Sequence, residues 1–233
     1  MSSAGPPLHS AGLWAMREAR CLSTIERALS HLRQIQALPQ TEVELNRHLY
    51  SCLLTATREL YPEEEIPPLL ECNNQPDPDD QARAMREQKR PDFQWAYLDR
   101  YESDPQRSSK QFVVECKRLG DPPRRDWVLN TNYINNGIAR FRDPEWAYAK
   151  RFASGAMVGF WQSMEGTQLL NEINQAFTAT SLPALVLLGT WNHGATSRFQ
   201  HTFARTFEIS PFRLLHLWID LRFDQGNGTP ASN

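Results

Sequence analysis

The sequence predicts an α/β protein in which helices flank a central mixed β-sheet, with two helices ahead of the sheet. Two helical repeats of apolar residues come first, and strand-like runs rich in aromatic and β-branched residues follow them. A chain of 233 residues can bury a sizeable core as one such unit, although its length also allows two smaller domains. We expect a single domain over residues 13–224, between a flexible N-terminal segment, 1–12, and a flexible tail, 225–233.

The two N-terminal helices are predicted from the spacing of their apolar residues. The first helix carries an apolar repeat at Leu22, Ile25, Leu29, Leu32 and Ile35. Pro39 then breaks the chain, and the pair Thr41 and Glu44 has the spacing of a capping box at the start of a second helix. The apolar stripe of this second helix is formed by Leu45, Leu49, Leu53, Ala56 and Leu60.

Two acidic residues at the start of the second helix point in different directions. At about 100° per residue, Glu42 falls within the apolar stripe, whereas Glu44 falls opposite and serves the cap. A carboxylate on the core side of a helix needs a partner, so we predict that Glu42 is the functional acid, with Glu44 as the alternative. The simpler explanation is a first-turn glutamate that only interacts with the helix dipole.

Two strand-like runs carry the most informative ionisable residues. Strand-forming residues follow Asp92 and precede Glu115, and the polar segment 99–110 between them fits a hairpin loop. Because side chains alternate along a strand, Glu115 and Lys117 share one face and Cys116 lies on the other. Antiparallel pairing would bring Asp92 and Glu115 to the same edge of the sheet, where a hard cation such as Mg²⁺ would offset their repulsion.

The pair Pro91-Asp92 with Glu115-Cys116-Lys117 resembles the signature of the PD-(D/E)xK, or restriction-endonuclease-like, superfamily of metal-dependent nucleases. The resemblance is sharp over residues 42–117 and diffuse beyond them. It implies a restriction-endonuclease-like core, Mg²⁺-dependent hydrolysis of phosphodiester bonds, and a further acid from a helix ahead of the first catalytic strand.

The resemblance also implies a role for each residue of the two motifs. Glu42, Asp92 and Glu115 would hold Mg²⁺, for which Mn²⁺ would substitute, the backbone carbonyl of Cys116 would complete the ligand set, and Lys117 would position the attacking water. The expected activity is that of a DNA endonuclease of a bacterial restriction or phage-defence type, with a homodimer or a partner subunit as possible assemblies. RNA as substrate and exonuclease action stay open.

Basic and polar residues beside the motifs are candidates for contact with nucleic acid. They are Arg90, Arg118, Arg124, Arg125, Tyr133 and Asn136. A second basic group follows at Arg140, Arg142, Lys150 and Arg151. Solvated surface, or packing for Tyr133 and Asn136, is the alternative role. The net charge of -2 argues against a general nucleic-acid coating protein but allows a local field at a site.

Two other functions remain in view. The first is a catalytically silent nuclease-fold module that binds nucleic acid or a partner subunit in a larger assembly. The second is an unrelated α/β hydrolase or transferase in which Glu115 and Lys117 form a surface ion pair. The second finds no support in the sequence, because it contains no GxSxG, GxGxxG or HExxH motif.

The four cysteines form no CxxC pair, and no His/Cys group has zinc-finger spacing. Together with the absence of a signal-peptide pattern in residues 1–10 and of any apolar run long enough for a membrane span, this predicts reduced thiols, no membrane association and a cytoplasmic protein.

The remaining elements are predicted more coarsely. We expect a short strand in 66–72, a brief helix in 82–88, a longer helix over 127–141, and buried strands at 184–188 and 212–221. Segment 155–160 is expected to pack between helices, and 191–194 with His201 is expected to form a polar turn. His216 is expected to be a core residue.

Overall fold

The computed structural model describes residues 8–63, 66–74, 76, 80–125, 128–207 and 209–222, with side chains from residue 12 onward. Within these residues, seven strands form one mixed sheet, and two long helices precede it. The predicted α/β class and the two N-terminal helices are therefore confirmed. The predicted tail, 225–233, lies outside the described residues, as do residues 1–7.

The helices are α1 (Leu8–Gln34), α2 (Glu42–Leu60), α3 (Arg83–Arg86), α4 (Leu129–Tyr133), α5 (Ala139–Arg142) and α6 (Gly166–Ala179), and a π-helical turn (Ile134–Ile138) joins α4 to α5. The strands are β1 (Leu69–Leu70), β2 (Phe93–Leu98), β3 (Ser109–Leu119), β4 (Ser154–Trp161), β5 (Val186–Leu187), β6 (Thr196–Phe203) and β7 (Phe212–Asp220). Their order in the sheet is β1-β2-β3-β4-β7-β6-β5. Strands β3, β4 and β7 run parallel, and every other neighbouring pair is antiparallel.

Helices α1 and α2 pack on one face of the sheet, and the α4 to α6 region packs on the other. Cys21 on α1 contacts the Tyr97 hydroxyl of β2 at 3.2 Å, while the π-helical turn lies over Lys117 and Met157. The α1 helix starts at Leu8, inside the segment 1–12 for which we expected flexibility. No helix in the described part of the chain combines the length and the apolar character needed to cross a membrane.

The hairpin between the two motif strands is confirmed. Strand β2 pairs antiparallel with β3 from Phe93↔Val114 to Leu98↔Ser109, and the loop occupies residues 99–108. Continuing this register by one residue places Asp92 opposite Glu115. The pairing therefore brings the two acidic residues of the motifs to the same end of the hairpin.

The prediction for segment 155–160 is wrong, because these residues belong to β4, a fully buried strand at the centre of the sheet. A Cβ atom on Gly159 would lie 2.6 Å from Cδ1 of Trp218, so the glycine leaves room for a large ring from the neighbouring strand. The small residues of β4 are matched by bulky neighbours, and this matching is a tertiary property that the local pattern does not reveal.

Two predictions near the C-terminal edge of the sheet also need correction. Segment 184–188 contains only the two-residue edge strand β5, and Val186 is 58% exposed rather than buried. His201 lies within β6, not in a turn, and points into the core. The strand at 212–221 is confirmed as β7, and His216 is fully buried in it, as expected.

Candidate functional site

Asp92 is anchored by two different elements at the start of β2. Its Oδ2 atom accepts a hydrogen bond from the backbone amide of Cys116 on β3 at 2.6 Å, and its Oδ1 atom accepts one from the Asn46 side chain of α2 at 3.0 Å. Asn46 was not predicted, although it lies one helical turn after Glu42 and hence on the same face of the helix. The two bonds fix the orientation of the carboxylate.

Lys117 is the point on which the predicted residues converge. Its Nζ atom lies 2.7 Å from Glu42 Oε1, 3.0 Å from Glu115 Oε1 and 2.7 Å from the carbonyl oxygen of Cys116. Asp92 Oδ2 lies 4.0 Å away. The lysine is 4% exposed, so this ammonium group is a nearly buried cation surrounded by oxygen atoms. Glu44 takes no part, because its carboxylate pairs with Arg47 at the surface.

Glu115 presents its two carboxylate oxygens to different surroundings. Oε1 accepts hydrogen bonds from Lys117 Nζ and from Arg140 Nη1. Oε2 is buried and has no hydrogen-bond partner among the described residues. Since a buried carboxylate oxygen without a partner is costly, Oε2 is the atom of the site at which a further cation or donor would be most favourable.

Arg140 was predicted only as part of the second basic group of candidates for nucleic-acid contact, but it extends from α5 to the carboxylate of Glu115. Its guanidinium carbon lies 4.5 Å from the centroid of the Trp146 ring, and the ammonium group of Lys89 lies 4.0 Å from the same ring. The aromatic ring thus supports two cations beside the acidic cluster.

The helix predicted over 127–141 packs over the site. It is confirmed from Leu129 onward, while residues 126–127 lie outside the described part of the chain. Its centre is a π-helical turn, and such turns are often found at functional sites. A Cβ atom on Gly137 would lie 2.5 Å from Met157 Cε and 3.3 Å from Lys117 Cγ. Glycine therefore lets this turn lie directly against the strand that carries Lys117.

The cluster brings three carboxylates together with two cations. The carboxylates are those of Glu42, Asp92 and Glu115, and the cations are Lys117 and Arg140. Burial, followed by the nearby charge of Asp92, raises the pKa of Glu115 to about 8 against the opposing effects of the two cations. Burial also raises the pKa of Asp92, against the charge of Lys117 and the Cys116 amide.

Lys117 and Cys116 respond to the same surroundings in opposite ways. Burial lowers the pKa of Lys117, but the charges of Glu115, Asp92 and Glu42 outweigh this effect and the net shift is upward, so the ammonium group stays protonated. Burial and the neighbouring carboxylates raise the pKa of the Cys116 thiol well above its usual value. Only the backbone of Cys116, not its sulfur, contributes to the site.

The oxygen atoms of the acidic cluster meet some of the requirements of a hard divalent cation. Among the described residues, no group of three His, Cys, Asp or Glu side chains is arranged to hold a metal ion. Two carboxylates with a carbonyl are nevertheless enough for Mg²⁺, which usually keeps several waters. Asp92, Glu115 and the Cys116 carbonyl are the oxygens of the cluster to test against this requirement, and Oε2 of Glu115 is buried without a hydrogen-bond partner among the described residues. Glu42, by contrast, is the closest carboxylate to the Lys117 ammonium group.

The residues predicted to contact nucleic acid have several different environments. Arg90 donates to the Asn73 side chain at 3.0 Å, Arg118 donates to the Gln40 carbonyl at 2.9 Å, and Arg124 and Arg125 are exposed in the loop after β3. Asn136 is exposed and bonds Asn132.

Tyr133 is fully buried and lies in the core rather than on a surface available to nucleic acid. Its hydroxyl oxygen accepts a hydrogen bond from Trp218 Nε1 at 3.0 Å, and the same hydroxyl group is hydrogen-bonded to Nδ1 of His216 at 2.5 Å. The ring of His201 lies 4.9 Å from that of His216, centroid to centroid. Both nitrogens of His201 and Nε2 of His216 are buried without a hydrogen-bond partner in the described structure. We refer to His201, His216 and Tyr133 as the imidazole cluster.

No family model matches the chain, and neither a curated protein nor a solved structure gives a significant match. The geometry of the site and the motif are therefore the features that bear on function.

Proposed function

We propose that the protein is a metal-dependent nuclease with a restriction-endonuclease-like core that hydrolyses phosphodiester bonds in DNA, of the kind used in restriction or phage defence. The observation that carries this proposal is the convergence of Glu42, Asp92, Glu115 and the Cys116 carbonyl around the ammonium group of Lys117, with Oε2 of Glu115 left without a partner among the described residues. An acid from a helix ahead of the first motif strand, as the resemblance implies, is part of this arrangement.

A structural salt bridge alone does not account for the arrangement. A buried ion pair is weak support for stability, because desolvation offsets much of the attraction between the charges. Here three carboxylates share two cations, and one carboxylate oxygen lacks any partner in the described residues. Perturbed, clustered ionisable groups of this kind are more typical of functional sites.

Asp92, Glu115 and the Cys116 carbonyl would hold Mg²⁺ or Mn²⁺. Bound there, the ion would polarise the scissile phosphate and lower the pKa of an attacking water. The ammonium group of Lys117 supplies a positive charge that favours a phosphate or orients a water, and Glu42 keeps this group at the carboxylates. Asn46 and the Cys116 amide hold Asp92 in place.

A cleavage assay on supercoiled plasmid and on linear duplex, single-stranded DNA and RNA tests the proposal. The wild type is expected to cleave DNA with Mg²⁺ or Mn²⁺ and not with excess chelator. Asp92→Asn and Lys117→Ala are each expected to abolish cleavage while the protein remains folded by circular dichroism. Retained cleavage in both variants would exclude the assignment.

Glu42 and Glu44 offer a matched pair of controls within the same helical turn. Glu42→Gln removes the carboxylate that contacts Lys117, whereas Glu44→Gln removes one that pairs with Arg47 at the surface. We expect loss of cleavage in the first variant and wild-type cleavage in the second. The reverse result would assign the helix-borne acid to Glu44.

A catalytically silent module that binds nucleic acid or a partner subunit is the second candidate. The observation that favours it is the ammonium group of Lys117, which already satisfies oxygens of Glu42, Glu115 and Cys116 without a metal. Calorimetric titration with Mn²⁺ separates the two candidates, because a silent module with a closed cluster would bind nucleic acid but no metal.

A further inference from the structure

We infer that Arg140 is a positioning residue of the site, which together with Lys117 holds Oε1 of Glu115 so that Oε2 is the oxygen presented to a divalent cation. This inference rests on the proposed function and adds to it a residue outside both sequence motifs. It also gives Trp146 a role, since this ring supports the guanidinium group.

The hydrogen bonds to Glu115 are distributed unevenly. Lys117 Nζ and Arg140 Nη1 both donate to Oε1, while Oε2 is buried with no partner among the described residues. A carboxylate held by two cations at one oxygen cannot rotate to exchange its oxygens without breaking both contacts. The two donors therefore define which oxygen stays available.

Arg140 itself is restrained from several sides. Its guanidinium group lies over the Trp146 ring, and its side chain is only 20% exposed. The rings of Trp146 and Tyr148 pack nearly perpendicular to each other, with centroids 5.8 Å apart, and the Asn74 side chain donates to the Trp146 carbonyl at 2.9 Å. The arginine therefore approaches Glu115 from a fixed platform rather than from a flexible surface position.

The direction in which Mn²⁺ affinity changes when Arg140 is replaced distinguishes a positioning role from the electrostatic effect of its positive charge. Arg140 repels an incoming cation, so removal of its charge alone would tighten Mn²⁺ binding. If Arg140 orients Glu115, its removal would weaken Mn²⁺ binding instead. A weaker affinity in a variant that has lost a positive charge is thus the signature of a positioning role.

The experiment compares Arg140→Ala with Arg142→Ala, which removes the same charge from the same helix but from a side chain paired with Asp143. Mn²⁺ affinity is measured by calorimetry without nucleic acid, and kcat and KM are measured for plasmid cleavage. For Arg140→Ala we expect an affinity about 10-fold weaker and a kcat about 100-fold lower, with KM within about 3-fold of wild type. Arg142→Ala is expected to keep Mn²⁺ affinity, the readout for which it is the control, within about 2-fold of wild type.

A chemical rescue and a second variant separate a positioning role of Arg140 from misfolding of the alanine variant. Guanidinium ion, added at a concentration that leaves the wild type unchanged, is expected to restore part of the Mn²⁺ affinity of Arg140→Ala and none to Arg142→Ala. Arg140→Lys keeps the charge but lacks the planar group that lies on Trp146, so it is expected to be intermediate, and it replaces the alanine variant if the latter does not fold.

Unchanged or tighter Mn²⁺ binding in folded Arg140→Ala would overturn the inference and leave the nuclease proposal intact. A wild type that binds Mn²⁺ without cleaving any nucleic acid would overturn the nuclease proposal, while the affinity comparison would still decide the role of Arg140. A wild type that binds no Mn²⁺ would overturn both.

Discussion

Two groups of buried ionisable side chains lie on the same side of the sheet and differ in how their charges are balanced. In the acidic cluster, three carboxylates meet Lys117 and Arg140, which come from different elements. In the imidazole cluster, His201 and His216 form no ion pair in the described structure, and burial lowers the pKa of each ring. Burial alone therefore does not identify a site. The acidic cluster differs because opposite charges converge in it, while one carboxylate oxygen, Oε2 of Glu115, has no hydrogen-bond partner among the described residues.

The largest expected effect separates the two clusters by activity. Glu115→Gln keeps the shape of the side chain but removes its charge, and we expect cleavage to fall by about 10⁴-fold, equivalent to about 5 kcal/mol of transition-state stabilisation. His201→Leu is expected to leave cleavage within about 3-fold of wild type. Single-turnover plasmid cleavage measures both. Equal losses in the two variants would remove the functional distinction between the clusters.

The second prediction concerns the cost of leaving charges unpaired. Lys117→Met removes the central cation from three carboxylates, and we expect a loss of about 3 to 5 kcal/mol in the free energy of unfolding. Mn²⁺ is expected to recover part of this loss, because it supplies positive charge to the carboxylates of Asp92 and Glu115. Urea unfolding with and without Mn²⁺ provides the measurement. A variant as stable as the wild type in chelator would mean that the lysine does not balance the cluster.

The third prediction uses the imidazole cluster and acid pH. Burial lowers the pKa of His201 to about 4, whereas the usual value is 6.5, so the unfolded chain binds the proton more tightly. The contribution of the neutral ring is complete above pH 6.5 and is lost as the pH falls to about 4, a change of about 3 kcal/mol. Comparison of wild type with His201→Leu across this range isolates the effect. Parallel stability curves for the two proteins would contradict it.

The smallest prediction concerns the acidic cluster at higher pH. The pKa of Glu115 is raised to about 8, so below that pH a divalent cation must displace a proton. We expect Mn²⁺ affinity to rise about tenfold per pH unit up to about pH 8 and then to level off, which is about 1.4 kcal/mol per unit. Calorimetry at three pH values tests this. A flat profile below pH 8 would show that Glu115 is already ionised.

The stability contribution of Glu115 has the opposite pH dependence to that of His201. Its folded pKa lies above its unfolded value of 4.5, so its contribution is present at low pH and declines as the pH rises through about 8. Glu115→Gln is expected to remove this decline. The two clusters would thus reduce stability at opposite ends of the pH range.

The parts of the site that depend on local geometry could be predicted from the sequence. Helical phase distinguished Glu42 from Glu44, and strand alternation placed Glu115 beside Lys117, because both periods are fixed by backbone geometry. Asn46 had a usable signal, since it lies four residues after Glu42 on one helix face. The structure places all of these residues where those periods put them.

Other parts depend on how distant elements pack and could not be predicted in this way. Arg140 reaches Glu115 because a helical segment with a π-helical turn crosses β3, and nothing in the sequence of that segment specifies the crossing. The glycines of β4 give the segment a weak strand propensity. The large rings that pack against them come from other elements and are not evident from the local sequence. In β6, alternation of buried Phe199, His201 and Phe203 with polar residues was present, but turn-forming residues before it obscured the strand.

Partners that are far apart along the chain meet in the acidic cluster. Lys117 and Glu42 are separated by 75 residues, Asn46 and Asp92 by 46, and Arg140 and Glu115 by 25. Closing each long loop costs entropy before any contact rewards it, so these contacts depend on the packing of the elements that carry them. A growing or partly folded chain therefore carries the acidic side chains without the assembled site. For the proposed nuclease, activity would arise only with the complete fold, so that an unfinished chain would not cleave the nucleic acid of the cell that synthesises it.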